Sequence, residues 1–282
     1  MVEISAALVK ELREETNVGM MECKRALVEA GGDKEKAVRI LRERGLAVAG
    51  KKASRTAKDG QVAADITDGG RTGVMVEVNC ETDFVARNAI FQDFMKKVVE
   101  KARTVEGDLA TAMKDEVTAK IQEIGENIIV RRHVRYQVQG NGIVASYIHL
   151  GGKVGVLLEV GCEKAETAQK DLFKEVVKDV TLHIAACNPQ YLNRTEVPEK
   201  VLASEKEIYA KQVQGKPANI IEKIVLGKLD KFFQQICLLE QGFVKDPDQT
   251  VTELLATKGK ELEDTLAIRR FTRYQVGEEI AS

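Results

Sequence analysis

The stretch NCETDFVARN, residues 79–88, places a carboxylate beside an aromatic ring between two predicted elements. It follows the apolar run GVMVEV, which is typical of a buried strand, and precedes FQDFMKKVV, whose apolar residues have the spacing of a helix face. A short strand-to-helix connection usually carries small polar residues, and Phe84 is neither small nor polar. The pair Asp83 and Phe84 therefore serves either the local fold or contact with another molecule.

The residue types that usually carry catalysis occur without the spacing that catalysis or metal binding needs. The three histidines lie far apart in the sequence, without cysteine or carboxylate partners at ligand spacing: His133, His149 and His183. The five cysteines include no C-x-x-C pair, which argues against a zinc site and a disulfide framework, and predicts reduced, mostly buried thiols. The usual phosphate-binding, metalloprotease and hydrolase motifs do not occur. The sequence predicts a protein that is not an enzyme and has no metal or other cofactor.

The charges of the chain nearly cancel, with 43 Lys and Arg against 44 Asp and Glu in 282 residues. This balance provides no overall positive field that would attract nucleic acid or an anionic membrane. The N-terminal segment lacks the features of a signal peptide, and no run of about 18 apolar residues is present. With 44% hydrophobic residues, we expect a globular, cytoplasmic protein of two or three domains that contacts neither nucleic acid nor membrane directly.

An internal duplication is the strongest feature of the sequence. DGQVAADITDGGRTGVMVEVNCE, residues 59–81, aligns without gaps with NGIVASYIHLGGKVGVLLEVGCE, residues 141–163. Each copy predicts a β-hairpin with a Gly-Gly turn, then a helix, then a closing strand, VRRHVRYQV or IRRFTRYQV. The predicted fold class is α+β, with core subdomain N at residues 59–140 and core subdomain C at residues 141–192 and 246–282.

The second copy carries additional residues between its helix and its closing strand. The apolar residues of VPEKVLASEKEIYAKQV and NIIEKIVLGKLDKFFQQI have helical spacing, and Gly215-Lys216-Pro217 between them breaks the helix. We predict an inserted antiparallel helical hairpin (coiled coil) at residues 193–245.

A separate module precedes the duplication. Three segments with helix-spaced apolar residues, separated by glycines, predict a three-helix domain at residues 1–46. The next stretch, AVAGKKASRTAKD, is basic and poor in large apolar residues. Residues 47–58 are therefore predicted to form a solvated linker.

The two copies differ at the Phe84 position. NCETDFVARN aligns with GCEKAETAQK, so the cysteine and the following glutamate recur, whereas Thr82, Asp83, Phe84 and Val85 do not. One interpretation is a binding role; the other is that Thr82 or Asp83 caps the next helix while Phe84 closes over a local core. The arginines of the closing strands raise RNA binding as an alternative, although no aromatic stacking platform accompanies them: Arg131, Arg132, Arg135, Arg269, Arg270 and Arg273.

Three motifs in the same order resemble bacterial elongation factor Ts, the guanine nucleotide exchange factor for elongation factor Tu. They are TNVGMMECKRAL (16–27), NCETDFVA (79–86) and IGENIIVRR (124–132), and the similarity extends from near the N-terminus to the last strand. The resemblance implies a UBA-like N-terminal domain, a duplicated α+β core and an inserted hairpin. Asn17 stands where the family commonly has glycine, and because asparagine tolerates positive φ, the turn is expected to persist.

The resemblance also implies a function and a site. The chain is expected to bind elongation factor Tu in its GDP-bound and nucleotide-free forms, and to promote GDP release and GTP reloading in translation elongation. The residues implied for partner binding and magnesium dislocation are Thr82, Asp83, Phe84 and Val85. Of these, Asp83 and Phe84 would wedge near the magnesium site of the partner. Further implied contacts are Met20, Met21, Lys24, Ile124, Gly125 and His149, of which Ile124 and Gly125 would support the loop.

Alternatives remain for several of these residues and for the function. On the residues alone, core packing suits one of the two methionines equally well, and Lys24 suits a solvated helix face. A chaperone-like or scaffolding module that uses the three-helix domain and the hairpin is the second function class, and an RNA-associated translation protein is the third.

Overall fold

The computed structural model describes residues 4–16, 18–213 and 217–280, so the expected turn at Asn17 and the predicted break at Gly215 and Lys216 lie outside the described residues. The helices are α1 (Ala6–Thr16), α2 (Met20–Glu29), α3 (Lys34–Lys52), α4 (Asp83–Ala86), α5 (Ala89–Thr104), α6 (Leu109–Ala112), α7 (Lys114–Ile124), α8 (Asp171–Cys187), α9 (Glu199–Gln212), α10 (Ala218–Ile236) and α11 (Val251–Leu262). The strands are β1 (Asp59–Thr67), β2 (Thr72–Cys80), β3 (Ile129–Gln137), β4 (Gly142–His149), β5 (Val154–Cys162), β6 (Gly242–Phe243), β7 (Asp246–Thr250) and β8 (Leu266–Gln275).

The duplication seen in the sequence produces two similar three-stranded antiparallel sheets, β1-β2-β3 and β4-β5-β8. The register shifts at Glu77/Val78 in the first sheet and at Glu159/Val160 in the second, which are equivalent positions of the repeat. One face of each sheet packs on a long helix, α5 or α8, through the fully buried Phe91 or Phe173. The predicted combination of antiparallel hairpins and helices is therefore confirmed.

The two sheets pack against each other through a shared apolar cluster that includes Met75, Tyr136, Leu157 and Tyr274. A backbone hydrogen bond of 2.7 Å from Val62 N–H to the Gly152 carbonyl also joins them. The two subdomains therefore support each other, and the turn between β4 and β5 is held against the first subdomain.

A buried carboxylate in each sheet accounts for most of the arginines in the closing strands. Glu77 accepts hydrogen bonds from Arg131 at 3.0 Å and Arg132 at 2.6 Å, and Glu159 accepts them from Arg269 at 3.1 Å and Arg270 at 2.7 Å. Burial raises the pKa of Glu159, but the bonds from the Gln139 N–H and these arginines outweigh it and lower the pKa overall. Because these four guanidinium groups pair with buried carboxylates of the protein itself, they give no support to RNA binding.

The predicted linker at residues 47–58 is wrong for its first half. Helix α3 continues to Lys52, and its Val48 and Ala49 pack against the core of the first subdomain. The Lys52 ammonium donates a hydrogen bond to the Gly125 carbonyl at the end of α7. These contacts fix the end of α3 on the core, because even a few small apolar residues gain stability when a neighbouring helix covers them.

The insertion in the second copy contains the two predicted helices, α9 and α10. Val201 and Leu202 at the start of α9 share an apolar cluster with Phe232 and Phe233 at the end of α10, so the two helices run antiparallel. Arg194 braces this base from within the insertion through ion pairs with Asp230 at 2.9 Å and Glu240 at 2.6 Å. Ile208, Ile220 and Leu226 further along the helices stay about half exposed, so the helices do not bury all of their apolar residues against each other.

Candidate partner-binding site

Phe84 lies in the short connection between β2 and α5, residues 81–86, which includes α4 and which we call the Phe84 loop. Thr82 is the N-cap of α4, and its hydroxyl accepts a 3.4 Å hydrogen bond from the Val85 N–H. The capping interpretation is thus correct for Thr82. The local-core interpretation is wrong for Phe84, because its side chain is 82% exposed.

The residues after Phe84 anchor the loop. Val85 packs at the edge of the core of the first subdomain, and Ala86 is buried in it. Asp83 forms an exposed ion pair with Arg87, with 3.0 Å between Oδ2 and Nη2. Surface pairs of this kind contribute only about 0–1 kcal/mol, so the Asp83 carboxylate remains available to another partner. The loop therefore presents one carboxylate and one apolar ring on a fixed base.

An open cleft of about 470 Å³ separates the Phe84 loop from the β4–β5 turn of the second subdomain. Asp83 and Arg87 line one side, and Leu150 and Lys153 line the other. Leu150 is 70% exposed and has a φ of 49°, a conformation that leucine rarely adopts. An exposed apolar residue in a disfavoured conformation makes Leu150 a further candidate contact, which the sequence reasoning missed.

Two glutamines connect the sides of this cleft. Gln92 Nε2 donates to the Ala86 carbonyl and to Gln61 Oε1, both at 2.6 Å, and Gln61 Nε2 donates to the Gly151 carbonyl at 3.1 Å. This chain of hydrogen bonds runs from the end of the Phe84 loop to the turn that follows His149. The two subdomains therefore hold the cleft at a defined width.

His149 is the last residue of β4 and is exposed. Its ring stacks on Tyr147 with 5.7 Å between the ring centroids, and its Nδ1 lies 3.0 Å from the Tyr147 hydroxyl. It immediately precedes the β4–β5 turn but is not among the residues that line the cleft. The structure thus places His149 next to the candidate surface with a defined ring orientation.

Met20, Met21 and Lys24 lie together on α2 of the N-terminal module, and all three are exposed. The core interpretation is therefore wrong for both methionines. Met21 and Lys24 share an open groove with Val28, which is 58% exposed and which the sequence reasoning missed. Met21, Lys24 and Val28 are spaced three and four positions apart, which places them on one face of the helix.

Ile124 and Gly125 lie at the end of α7, where Ile124 packs against the core and Gly125 ends the helix with a φ of 86°. The sequence reasoning missed the following residue, Glu126, whose carboxylate accepts hydrogen bonds from the Phe84 loop. The sequence did contain a signal for Glu126. When the repeat alignment is extended to IGENIIVRR and LEDTLAIRR, Glu126 pairs with another carboxylate, Asp264.

The described residues contain no cluster of three or more side chains suited to holding a metal ion. All five cysteines are free thiols, as predicted, and four are buried. Burial raises the pKa of Cys80, next to the Phe84 loop, to about 12, so this thiol is protonated and weakly reactive. In the part of the chain that the structure covers, no helix has both the length and the apolar character to cross a membrane.

The described residues thus form a duplicated α+β core that carries several exposed apolar side chains. A family model described as elongation factor TS matches residues 81–278. This chain is 46%, 45% and 44% identical to the proteins named "Elongation factor Ts" from Trichlorobacter lovleyi, Clostridium botulinum and Nitratiruptor sp., respectively. Each alignment covers 98% of this chain and 93%, 94% and 94% of the respective relative. The chain belongs to the elongation factor Ts family and has a role in translation elongation.

Proposed function

We propose that this chain is the guanine nucleotide exchange factor for elongation factor Tu, and that Asp83 and Phe84 enter the partner near its magnesium site. The exposed ring of Phe84 on an anchored loop is the observation that carries the proposal. The equivalent turn of the second copy forms with Glu166 in place of Phe84, so the fold does not need the ring. An exposed ring that the fold does not need is suited to contact with another molecule.

An exchange factor of this kind makes and breaks no covalent bond. It binds the nucleotide-free or strained state of its partner more tightly than the nucleotide-bound state, and the coupling is reciprocal. Burying one phenylalanine contributes about 1.5–3 kcal/mol, which corresponds to one to two orders of magnitude in nucleotide affinity. One ring can therefore supply much of the required coupling.

Asp83 has a second role in the proposal. Its carboxylate gives up or shares the exposed ion pair with Arg87 and accepts hydrogen bonds from the displaced backbone or helix of the partner. Because the ion pair is exposed, losing it costs little compared with the hydrogen bonds gained by a charged acceptor. Asp83 thus holds the shifted state that Phe84 creates.

The remaining contacts follow the family resemblance. Met20, Met21 and Lys24 contact the GTPase domain from the N-terminal module, which is UBA-like. Ile124 and Gly125 support the Phe84 loop. His149 and the neighbouring Leu150 contact the partner from subdomain C. The hairpin is a coiled coil and docks on other domains of the GTPase through its half-exposed apolar residues.

The proposal is tested by the effect of GDP on the affinity of the chain for elongation factor Tu. The affinity of the chain for nucleotide-free elongation factor Tu is measured by titration calorimetry, and then again with saturating GDP or, as a matched control, ADP. We expect GDP to weaken binding by at least about tenfold, consistent with the usual range of coupling energies, and ADP to leave it unchanged. Equal affinities with and without GDP would favour the scaffolding alternative.

A further inference from the structure

The Phe84 loop is held by one carboxylate from outside it. Glu126 Oε2 accepts the backbone N–H groups of Glu81 and Thr82, both at 3.0 Å. Glu126 Oε1 accepts the Thr82 hydroxyl at 2.7 Å. The same hydroxyl caps α4 by accepting the Val85 N–H. Glu126 therefore orients the hydroxyl that caps α4.

The turn that carries Glu126 is itself tied down on both sides. The next residue, Asn127, donates its backbone N–H to Glu81 Oε1 at 2.7 Å and its side-chain amide to the Arg55 carbonyl at 2.8 Å. The preceding residue, Gly125, accepts the hydrogen bond from Lys52. The position of the Glu126 carboxylate is therefore set by the core, by the end of α3 and by the segment that follows it.

The second copy contains a reduced version of this arrangement. Asp264, the equivalent of Glu126, accepts the backbone N–H groups of Glu163 and Lys164, both at 3.0 Å. Lys164 stands where the first copy has Thr82, so Asp264 holds no hydroxyl at the capping position. The hydroxyl beside Asp264 is that of Thr167, at the equivalent of Val85. The two backbone hydrogen bonds belong to the repeated fold, whereas the bond to the capping hydroxyl occurs only in the copy that carries Phe84.

We propose that Glu126 is a positioning residue, which orients the Phe84 ring before the partner arrives. The inference rests on the proposed function of the Phe84 loop and identifies what prepares that loop. A loop that is ordered in advance avoids the entropy cost of ordering it on binding. Without the carboxylate, the backbone at residues 81 and 82 and the cap of α4 lose their shared acceptor, and Phe84 samples orientations that do not fit the partner.

A matched pair of variants separates positioning from general support of the fold. Glu126→Ala and Asp264→Ala each remove a carboxylate that accepts two backbone N–H groups at equivalent places in the repeat. Asp264 also accepts the N–H of its neighbour Thr265 at 2.7 Å. The second-order rate constant for release of fluorescent GDP from elongation factor Tu is measured for each, together with the melting temperature. Rates are expressed per folded molecule.

We expect Glu126→Ala to lower the rate constant by about tenfold, since ordering a side chain at an interface costs roughly that factor in affinity. Asp264→Ala should lower the melting temperature and leave the rate constant within about twofold of the unmodified chain. Glu126→Gln should restore most of the rate, because its amide oxygen can accept the backbone N–H groups while its NH₂ group donates to the Thr82 hydroxyl.

Equal rate constants for Glu126→Ala and the unmodified chain would overturn the proposal, and so would equal losses in the two alanine variants. Phe84→Ala, measured in the same series, separates this outcome from failure of the proposed function. If Phe84→Ala loses exchange and Glu126→Ala does not, only the positioning role is wrong. If the unmodified chain itself does not accelerate release, the proposed function is wrong.

Discussion

Replacing Phe84 with alanine removes the exposed ring and leaves the anchored base of the loop in place. Because 82% of the side chain is exposed in the free protein, the ring contributes little to folding. Surface substitutions of this kind usually change the free energy of unfolding by no more than about 0.5 kcal/mol. A buried phenylalanine would instead cost about 3–5 kcal/mol on truncation.

The expected loss in exchange follows from the area that the ring buries in the partner. Truncation removes about 1.5–3 kcal/mol of burial energy, which slows GDP release by roughly one to two orders of magnitude. Stopped-flow release of fluorescent GDP from elongation factor Tu measures the rate, and calorimetry measures the melting temperature. We expect a tenfold or larger loss of rate with an unchanged melting temperature.

The internal repeat supplies the control for this experiment. Glu166 occupies the equivalent position in the second copy and is exposed as well, so Glu166→Ala should change neither the rate nor the melting temperature appreciably. If Phe84→Ala melted early while exchange per folded molecule stayed normal, the ring would serve the local fold and the binding role would be refuted.

The buried carboxylate, the N-terminal helix, the hairpin and a buried histidine each provide a further test. Glu77→Gln leaves two arginines without their buried partner and should lower the free energy of unfolding in urea by roughly 3 kcal/mol; no change would contradict the ion-pair account. A chain that starts at Ser54 should melt below the full chain because the end of α3 no longer covers the core, and equal melting temperatures would show that this contact contributes nothing. Replacing residues 199–234 with a short Gly/Ser link should preserve one cooperative thermal transition, since the apolar base of the hairpin is separate from the subdomain core, and a broad transition would argue against this. Burial lowers the pKa of His183, so the unfolded state takes up the proton first and stability should fall as the pH drops below 6.5, by at most about 1.4 kcal/mol per pH unit; His183→Gln should flatten this slope, and an unchanged slope would assign it to other groups.

Local patterns predicted the repeated part of the fold well. The hairpins, their Gly-Gly turns and the two helices of the insertion depend on residues close together in sequence, so periodicity and turn chemistry identify them. The end of α3 was missed because the residues that stabilise it lie on α7, many positions later in the chain. Val48 and Ala49 are too few and too small to signal a buried helix by themselves.

At the candidate site, sequence reasoning identified the unusual residues but not what holds them. It left two roles open for Phe84, because exposure is a property of the folded chain and not of the motif. The role of Glu126 depends on hydrogen bonds to Glu81 and Thr82, which are distant in sequence. Leu150 was not predicted as a contact because its disfavoured φ and its exposure become visible only in three dimensions.

Release of labelled GDP from elongation factor Tu in the presence of less than one equivalent of the chain tests the central claim most directly. The account predicts that the release rate rises in proportion to the concentration of the chain and that each molecule of the chain acts on many partner molecules in turn. The final amount of GDP exchanged should stay the same, because an exchange factor changes the rate of approach to equilibrium and is regenerated. A release rate that does not change over concentrations at which the two proteins form a complex would contradict the account.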